Sequence, residues 1–108
     1  MTVREMARKL ELKGFCVPDG DREVIGGYAG DLLSWVMGRA NAGDAWITIM
    51  SNVNIVAVAT LADPSCIVLS EGVEPDADAL AKAQTMGINV LGSKKDTFSL
   101  CAEIASLI

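Results

Sequence analysis

The chain has 108 residues, of which 51% are hydrophobic and 5% aromatic, and its formal net charge is −5. This length is typical of one domain with a continuous core, so we expect a single domain over residues 1–108. The negative charge disfavours nucleic-acid binding, because an acidic surface and a phosphate backbone repel each other.

The first elements in the chain are a helix and a short strand. Thr2 and Glu5 form a capping box, which predicts a helix start. The helix has one apolar stripe, made of Val3, Met6, Ala7 and Leu10. Gly14 is expected to end this unit, a strand to follow at residues 15–17, and a turn at residues 18–20.

Residues 21–31 form the most informative stretch of the chain. We interpret them as a strand that pairs with residues 15–17 and ends in a tight turn at Gly26 and Gly27, before a helix capped by Asp31. This interpretation predicts a positive φ at one of the two glycines. Valine at that position should then cost roughly 1–3 kcal/mol of stability.

From Asp31 onward, helices and strands alternate in short units. Strands are predicted at residues 45–50, 66–69 and 88–91, and helices begin at Asp31, at Ser51 or Asn52, near Pro75 and at Asp96. The apolar face of the second helix is predicted to hold Leu32, Leu33, Val36 and Met37. The stripe of the last helix is predicted to be Phe98, Cys101, Ala102, Ala105 and Ile108. This order predicts an α/β fold in which helices flank a mainly parallel sheet.

The helix at residues 52–62 is apolar around most of its circumference, so it needs cover on two sides. Either the rest of the domain or another chain supplies the second cover. We expect a two-fold homodimer, because soluble monomers rarely expose large apolar patches. The expected interface residues are Asn52, Ile55, Val56, Val58 and Ala59.

No catalytic or metal-binding constellation is visible in the sequence. The chain has no histidine, which removes the commonest general base and the commonest zinc ligand. Gly87, Gly92, Ser93 and Lys94 do not have the order of a phosphate-binding P-loop. We therefore expect no enzyme activity, no cofactor and no metal.

The three cysteines, Cys16, Cys66 and Cys101, are widely spaced and odd in number. They predict buried thiols in a reducing compartment, which we take to be the cytoplasm. The N-terminus does not have the pattern of a signal peptide, and no apolar run is long enough to span a membrane.

A small anionic ligand is the other partner that the sequence allows, because open parallel sheets bind ligands at the carboxyl ends of their strands. Arg22 is either solvated, in contact with a neighbouring loop, or available to a ligand carboxylate or phosphate. The candidate ligand-binding residues are Asp21, Arg22, Gly26, Gly27, Ser51, Asn52, Glu71 and Gly72.

Four segments together resemble the DRTGG domain family. They are Asp21-Arg22 followed by Gly26-Gly27, Gly43-Asp44 before a strand, the loop at Glu71-Gly72, and Gly87-Ile88 before the last strand. The resemblance covers nearly the whole chain. The string that names the family is interrupted, because Glu23, Val24 and Ile25 separate Arg22 from Gly26.

The resemblance implies a regulatory or assembly module of α/β fold whose host proteins carry the chemistry elsewhere. Similar domains occur in CBS-containing pyrophosphatases, in phosphotransacetylases and at the N-terminus of HPr kinase/phosphorylase. It also implies a protein partner in an electron-transfer or hydrogenase system. Two hypotheses follow: a non-catalytic regulatory domain that acts through protein contacts as a homodimer, or a sensor of a small anionic metabolite or nucleotide.

Overall fold

The computed structural model describes all 108 residues and contains five helices and five strands. The helices are α1 (Val3–Lys9), α2 (Leu33–Arg39), α3 (Asn54–Ala62), α4 (Ala77–Met86) and α5 (Thr97–Leu107). The strands are β1 (Lys13–Cys16), β2 (Gly26–Ala29), β3 (Asp44–Thr48), β4 (Cys66–Leu69) and β5 (Val90–Gly92). They form one sheet in the order β1-β5-β4-β3-β2. Strands β2 to β5 are parallel and β1 is antiparallel to β5, which confirms the predicted α/β fold.

The sheet lies between two layers of helices. On one face, α1 and α5 pack against one set of strand residues, including Ile47 and Val68. On the other face, α2, α3 and α4 pack against the alternate set, including Trp46 and Ile67. The central strands are therefore buried on both faces, which explains why they read as continuous apolar runs.

Several predicted local signals are confirmed. The Glu5 N–H donates to Thr2 Oγ1 at 3.1 Å, as a capping box requires. The Ser99 N–H donates to Asp96 Oδ1 at 2.8 Å, which caps α5. Gly87 ends α4 with φ 72°, in the left-handed region that favours glycine.

The predicted glycine turn is wrong. Gly26 and Gly27 lie inside β2, and the glycines with positive φ are Gly43, Gly72 and Gly87. The expected pairing is also wrong, because β2 pairs with β3 at the edge of the sheet opposite β1. The reason for a glycine at position 26 is steric: an added Cβ would lie 2.6 Å from Asp44 Oδ1.

Asp31 does not cap α2. Its Oδ1 accepts hydrogen bonds from Thr48 Oγ1 at 2.7 Å and from the Ile49 N–H at 3.0 Å, so it ties the end of β3 instead. Helix α2 begins after Leu32 without a side-chain cap. Its predicted apolar face is also only partly buried, since Val36 is enclosed while Leu32 and Met37 are about half exposed.

The expected interface positions on α3 need correction. Relative exposure is 0% for Ile55 and Val56, 5% for Val58 and 1% for Ala59, all within one chain. The sheet lies beneath α3, and α2 and α4 lie beside it. The rest of the domain therefore supplies the second cover that this apolar helix needs. The exposed face of α3 carries Asn54, Ala57, Thr60 and Leu61, whereas Asn52, in the loop before the helix, is half-buried.

The predicted stripe of α5 is out of phase. Leu100 and Ile104 face the sheet, while Phe98 is 85% exposed and Ile108 is about half exposed. The helix is apolar on several sides, so its sequence fits more than one stripe. Gly14 lies within β1 and does not end the first unit, because α1 already ends at Lys9, with Leu10 as its C-cap.

Candidate functional site

The predicted ligand-binding residues separate into two groups at opposite ends of the sheet. Ser51, Asn52, Glu71 and Gly72 follow the carboxyl ends of β3 and β4. Asp21, Arg22 and Gly26 lie at the amino ends of the parallel strands, and Gly27 lies on the edge strand β2. The eight residues therefore do not form one site.

Arg22 has partners within the chain. Its Nη1 donates to Asp63 Oδ1 and its Nη2 to the Asp63 carbonyl oxygen, both at 2.7 Å. Asp63 ends α3 in the left-handed conformation, with φ 59°. Arg22 thus holds a neighbouring loop, which is one of the environments that the sequence allows for it, while the exposed Asp21 pairs with Arg4.

Ser51 and Asn52 shape the start of α3. The Ser51 carbonyl accepts a hydrogen bond from the Asp76 N–H at 2.9 Å, which links this loop to the start of α4. Asn52 Oδ1 accepts one from the Asn54 N–H at 2.9 Å. Both residues therefore already have roles within the chain at the carboxyl end of the sheet.

Glu71 and Gly72 join the loop after β4 to the loop after β5. The Glu71 N–H donates to the Lys95 carbonyl at 2.8 Å, and the Gly72 N–H donates to the Ser93 carbonyl at 2.9 Å. Glu71 Oε2 accepts from the Thr97 N–H at 2.9 Å. Glu71 and Gly72 have φ values of 61° and 75°, so a left-handed turn lets the chain make these contacts.

A cavity of about 340 Å³ lies between these two loops and β1. The lining residues that matter for its chemistry are Lys13, Phe15, Val73, Ser93, Lys94 and Lys95. Sequence reasoning missed Lys13 and Phe15, because only the antiparallel pairing of β1 with β5 brings them to this end of the sheet. No local sequence pattern signals that pairing.

A second concave region runs beside the edge strand β2. It has a volume of about 230 Å³ and lies between β2 and the C-terminal half of α5. Its lining is almost entirely apolar and includes Tyr28, Ile47, Ile104 and Ile108. Its lining contains no charged side chain.

The thiols are poorly suited to nucleophilic chemistry. Burial raises the pKa of Cys66 to about 12, and desolvation also raises the pKa of Cys16 and of Cys101. Because these pKa values are raised, the three thiols are largely protonated at neutral pH. Only the thiolate is the reactive form, so the cysteines are weak nucleophiles. No group of three or more His, Cys, Asp or Glu side chains is arranged to hold a metal ion. No helix has the length and hydropathy needed to cross a membrane.

Comparison with known proteins agrees with this architecture. The CBS and DRTGG domains of the regulatory region of Clostridium perfringens pyrophosphatase, complexed with the activator diadenosine tetraphosphate, match with a TM-score of 0.71 and 15% sequence identity. The match covers 95% of this chain and 45% of that one. No curated protein sequence is significantly similar to this chain. The family model described as DRTGG domain matches residues 1–107, and the chain therefore belongs to the DRTGG domain family.

Proposed function

We propose that this chain is a regulatory domain without chemistry of its own, which acts through contacts with other protein chains and assembles as a homodimer. The observation that carries the proposal is the unprotected edge strand β2. A free strand edge presents unpaired backbone groups to which a second chain can add. The similar pyrophosphatase region is described as regulatory, which supports the same class of role here.

The edge of β2 lacks two of the usual features that prevent pairing, namely a charged side chain and proline. Residues 24–30 contain no charged residue and no proline, although edge strands commonly carry one or the other. The Gly30 N–H donates to the Ile47 carbonyl at 3.0 Å, so Tyr28, two residues earlier, also directs its backbone toward β3. The backbone groups of Gly27 and Ala29 then point away from the sheet, beside the apolar groove.

A two-fold axis beside β2 pairs the outward-pointing backbone groups of the strand and covers the apolar groove at the same time. Two copies of the edge pair with each other in antiparallel orientation, because an isologous contact uses the same surface of both subunits. The apolar grooves beside the two edges then lie next to the joined strands. The exposed side chains of Ile25 and Leu32 flank β2 and add apolar surface to this contact.

Sedimentation equilibrium with two matched variants tests the assembly. Ala29→Lys adds a charge on the β2 edge, and Ala57→Lys adds the same charge on the exposed face of α3; both alanines are exposed. We expect a dimer at micromolar concentration that Ala29→Lys dissociates and Ala57→Lys leaves intact. A parent chain that sediments at 11.4 kDa at every concentration rules out the dimer. Dissociation by Ala57→Lys alone moves the interface to α3.

The absence of intrinsic catalysis is part of the same proposal. It is supported by the protonated thiols and by the lack of any histidine to act as a base for serine. Incubation with ATP or acyl phosphates should give only background turnover. Turnover that disappears when Ser51, Ser70 or Lys94 is substituted would contradict the proposal. The electron-transfer or hydrogenase partner stays a prediction from the family resemblance.

Sensing of a small anionic ligand is the second candidate function. The observation that favours it is the lysine-lined cavity at the carboxyl ends of β4 and β5. Ligands of open α/β sheets bind at this end of the strands. Its volume of about 340 Å³ lies within the range of small-molecule sites in proteins, ~300–1,000 Å³.

A further inference from the structure

The cavity between the loops after β4 and β5 concentrates positive charge on an otherwise acidic protein. Three of the five lysines of the chain line it, namely Lys13, Lys94 and Lys95, whereas the chain carries a net charge of −5. Lys95 is paired with Glu103, and Lys13 and Lys94 have no carboxylate partner within ion-pair distance. The only acidic residues in the lining are Glu11 and Glu74, so the lining has a net charge of +1. This local excess favours an anion.

The same cavity has an aromatic surface beside the lysines. Phe15 lies across Gly92 on the neighbouring strand, where an added Cβ would lie 2.5 Å from ring atom Cε2. Glycine therefore allows the ring to lie close against β5. Lys13 Nζ stands 5.0 Å from the centroid of the ring, which brings a cation and an aromatic face together. Val73 and Leu10 add apolar surface to the lining.

The cavity walls are held in place without a ligand. The Glu71 and Gly72 amides connect the two loops, and Ser70 Oγ and Thr97 Oγ1 are 2.6 Å apart beneath them. The Ser93 N–H donates to the Leu69 carbonyl at 2.9 Å, which fixes the start of the second loop. A cavity that is already formed reduces the conformational entropy that a ligand must overcome on binding.

We propose that this cavity binds a phosphate-bearing small molecule with a planar ring. The phosphate group lies among Lys13, Lys94 and Lys95, and the ring lies against Phe15. Lys95 exchanges Glu103 for the phosphate, while Lys13 and Lys94 bring charge that has no carboxylate partner in the free chain. This inference rests on the sensor form of the proposed function and is independent of the homodimer.

Calorimetric titration at fixed ionic strength tests the site with four probes: adenosine 5′-monophosphate, ribose 5-phosphate, inorganic phosphate and adenosine. We expect the monophosphate to bind most tightly and adenosine, which lacks the anion, to show no measurable binding. Lys94→Gln should weaken the monophosphate at least about fivefold. Lys82→Gln, which removes an exposed lysine on α4, should change its affinity less than twofold.

The ring contact needs a separate variant. Phe15→Leu keeps an apolar side chain, and it should reduce the preference for the monophosphate over ribose 5-phosphate while leaving the affinity for ribose 5-phosphate within twofold. Unfolding curves check that each variant is folded before titration.

Two results overturn the site. One is no saturable heat with the monophosphate up to millimolar concentration. The other is equal weakening by Lys94→Gln and Lys82→Gln, which would assign the binding to nonspecific charge. Neither result affects the sedimentation experiment, so the regulatory proposal and the ligand site fail separately.

Discussion

Replacing Gly26 with alanine tests whether close packing, and not backbone conformation, requires glycine in β2. An alanine Cβ at this position would lie 2.6 Å from Asp44 Oδ1, so the carboxylate must move. The other oxygen of that carboxylate accepts a hydrogen bond from the Asn41 N–H at 2.8 Å, and Asp44 is only 6% exposed. Gly27 is the matched control, because its added Cβ meets only the Ala45 carbonyl oxygen, at an ordinary 3.6 Å.

The expected magnitude combines two opposing effects. Overpacking and the weakened bond to the buried carboxylate each cost roughly 1–3 kcal/mol, although they are partly the same effect. Replacing glycine with alanine offsets roughly 0.4–1 kcal/mol of this loss, because alanine lowers the conformational entropy of the unfolded chain. We therefore expect Gly26→Ala to lower the free energy of unfolding by about 1–2 kcal/mol. Gly27→Ala should raise it by up to about 1 kcal/mol.

Urea unfolding followed by tryptophan fluorescence measures both variants. It should be repeated at two protein concentrations, since a change in assembly would alter apparent stability. The combination of Gly26→Ala with Asp44→Ala gives a double-mutant cycle. If the contact causes the loss, Gly26→Ala should cost little when Asp44 is already replaced. An unchanged penalty in that background, or equal destabilisation by Gly26→Ala and Gly27→Ala, would refute the steric explanation.

Two further predictions concern charge and burial. Arg22→Ala should lower the free energy of unfolding by about 1 kcal/mol, because Arg22 makes two 2.7 Å hydrogen bonds to Asp63. Arg4→Ala, which breaks a more exposed pair with Asp21, should cost less than about 0.5 kcal/mol; equal losses in urea unfolding would contradict this ranking. Burial raises the pKa of Cys66 from 9.0 to about 12, so the unfolded chain loses its proton first and stability should fall as pH rises from 9 toward 12. Cys66→Ala should flatten that decline relative to the parent in unfolding curves at pH 8 and 10.5, and an unchanged slope would show that other groups cause it.

Signals that depend on neighbours in the sequence predicted local structure well. The capping box at Thr2 and Glu5, the Asp96 cap and the Gly87 end of α4 each involve contacts within a few residues. Strand β4 was predicted with its observed bounds, Cys66–Leu69, because a strand buried on both faces is apolar throughout. The alternation of helices and strands from Asp31 onward was enough to predict a mainly parallel sheet.

The failures involve residues whose partners are distant in the chain. Asp31 is of a residue type that commonly caps helices. Its carboxylate instead accepts a hydrogen bond from Thr48, which lies 17 residues away in the chain. The local sequence around Gly26 does not show whether glycine is needed for a positive φ or because a Cβ would not fit. The Cβ would not fit, and the atom that excludes it is Oδ1 of the distant Asp44. The cavity was missed for the same reason: Lys13 and Lys94 lie far apart in sequence and meet only through β1–β5 pairing.

Helix α5 connects the two regions to which we assign function. Its first residue, Thr97, is held by Glu71 beside the lysine-lined cavity, and Ile104 and Ile108, at its other end, line the groove beside β2. Its 11 residues correspond to a rod of about 16 Å. If the cavity binds a ligand and β2 pairs with a second chain as proposed, a displacement of α5 on ligand binding would couple the two equilibria. By thermodynamic linkage, each partner would then change the affinity for the other by the same factor.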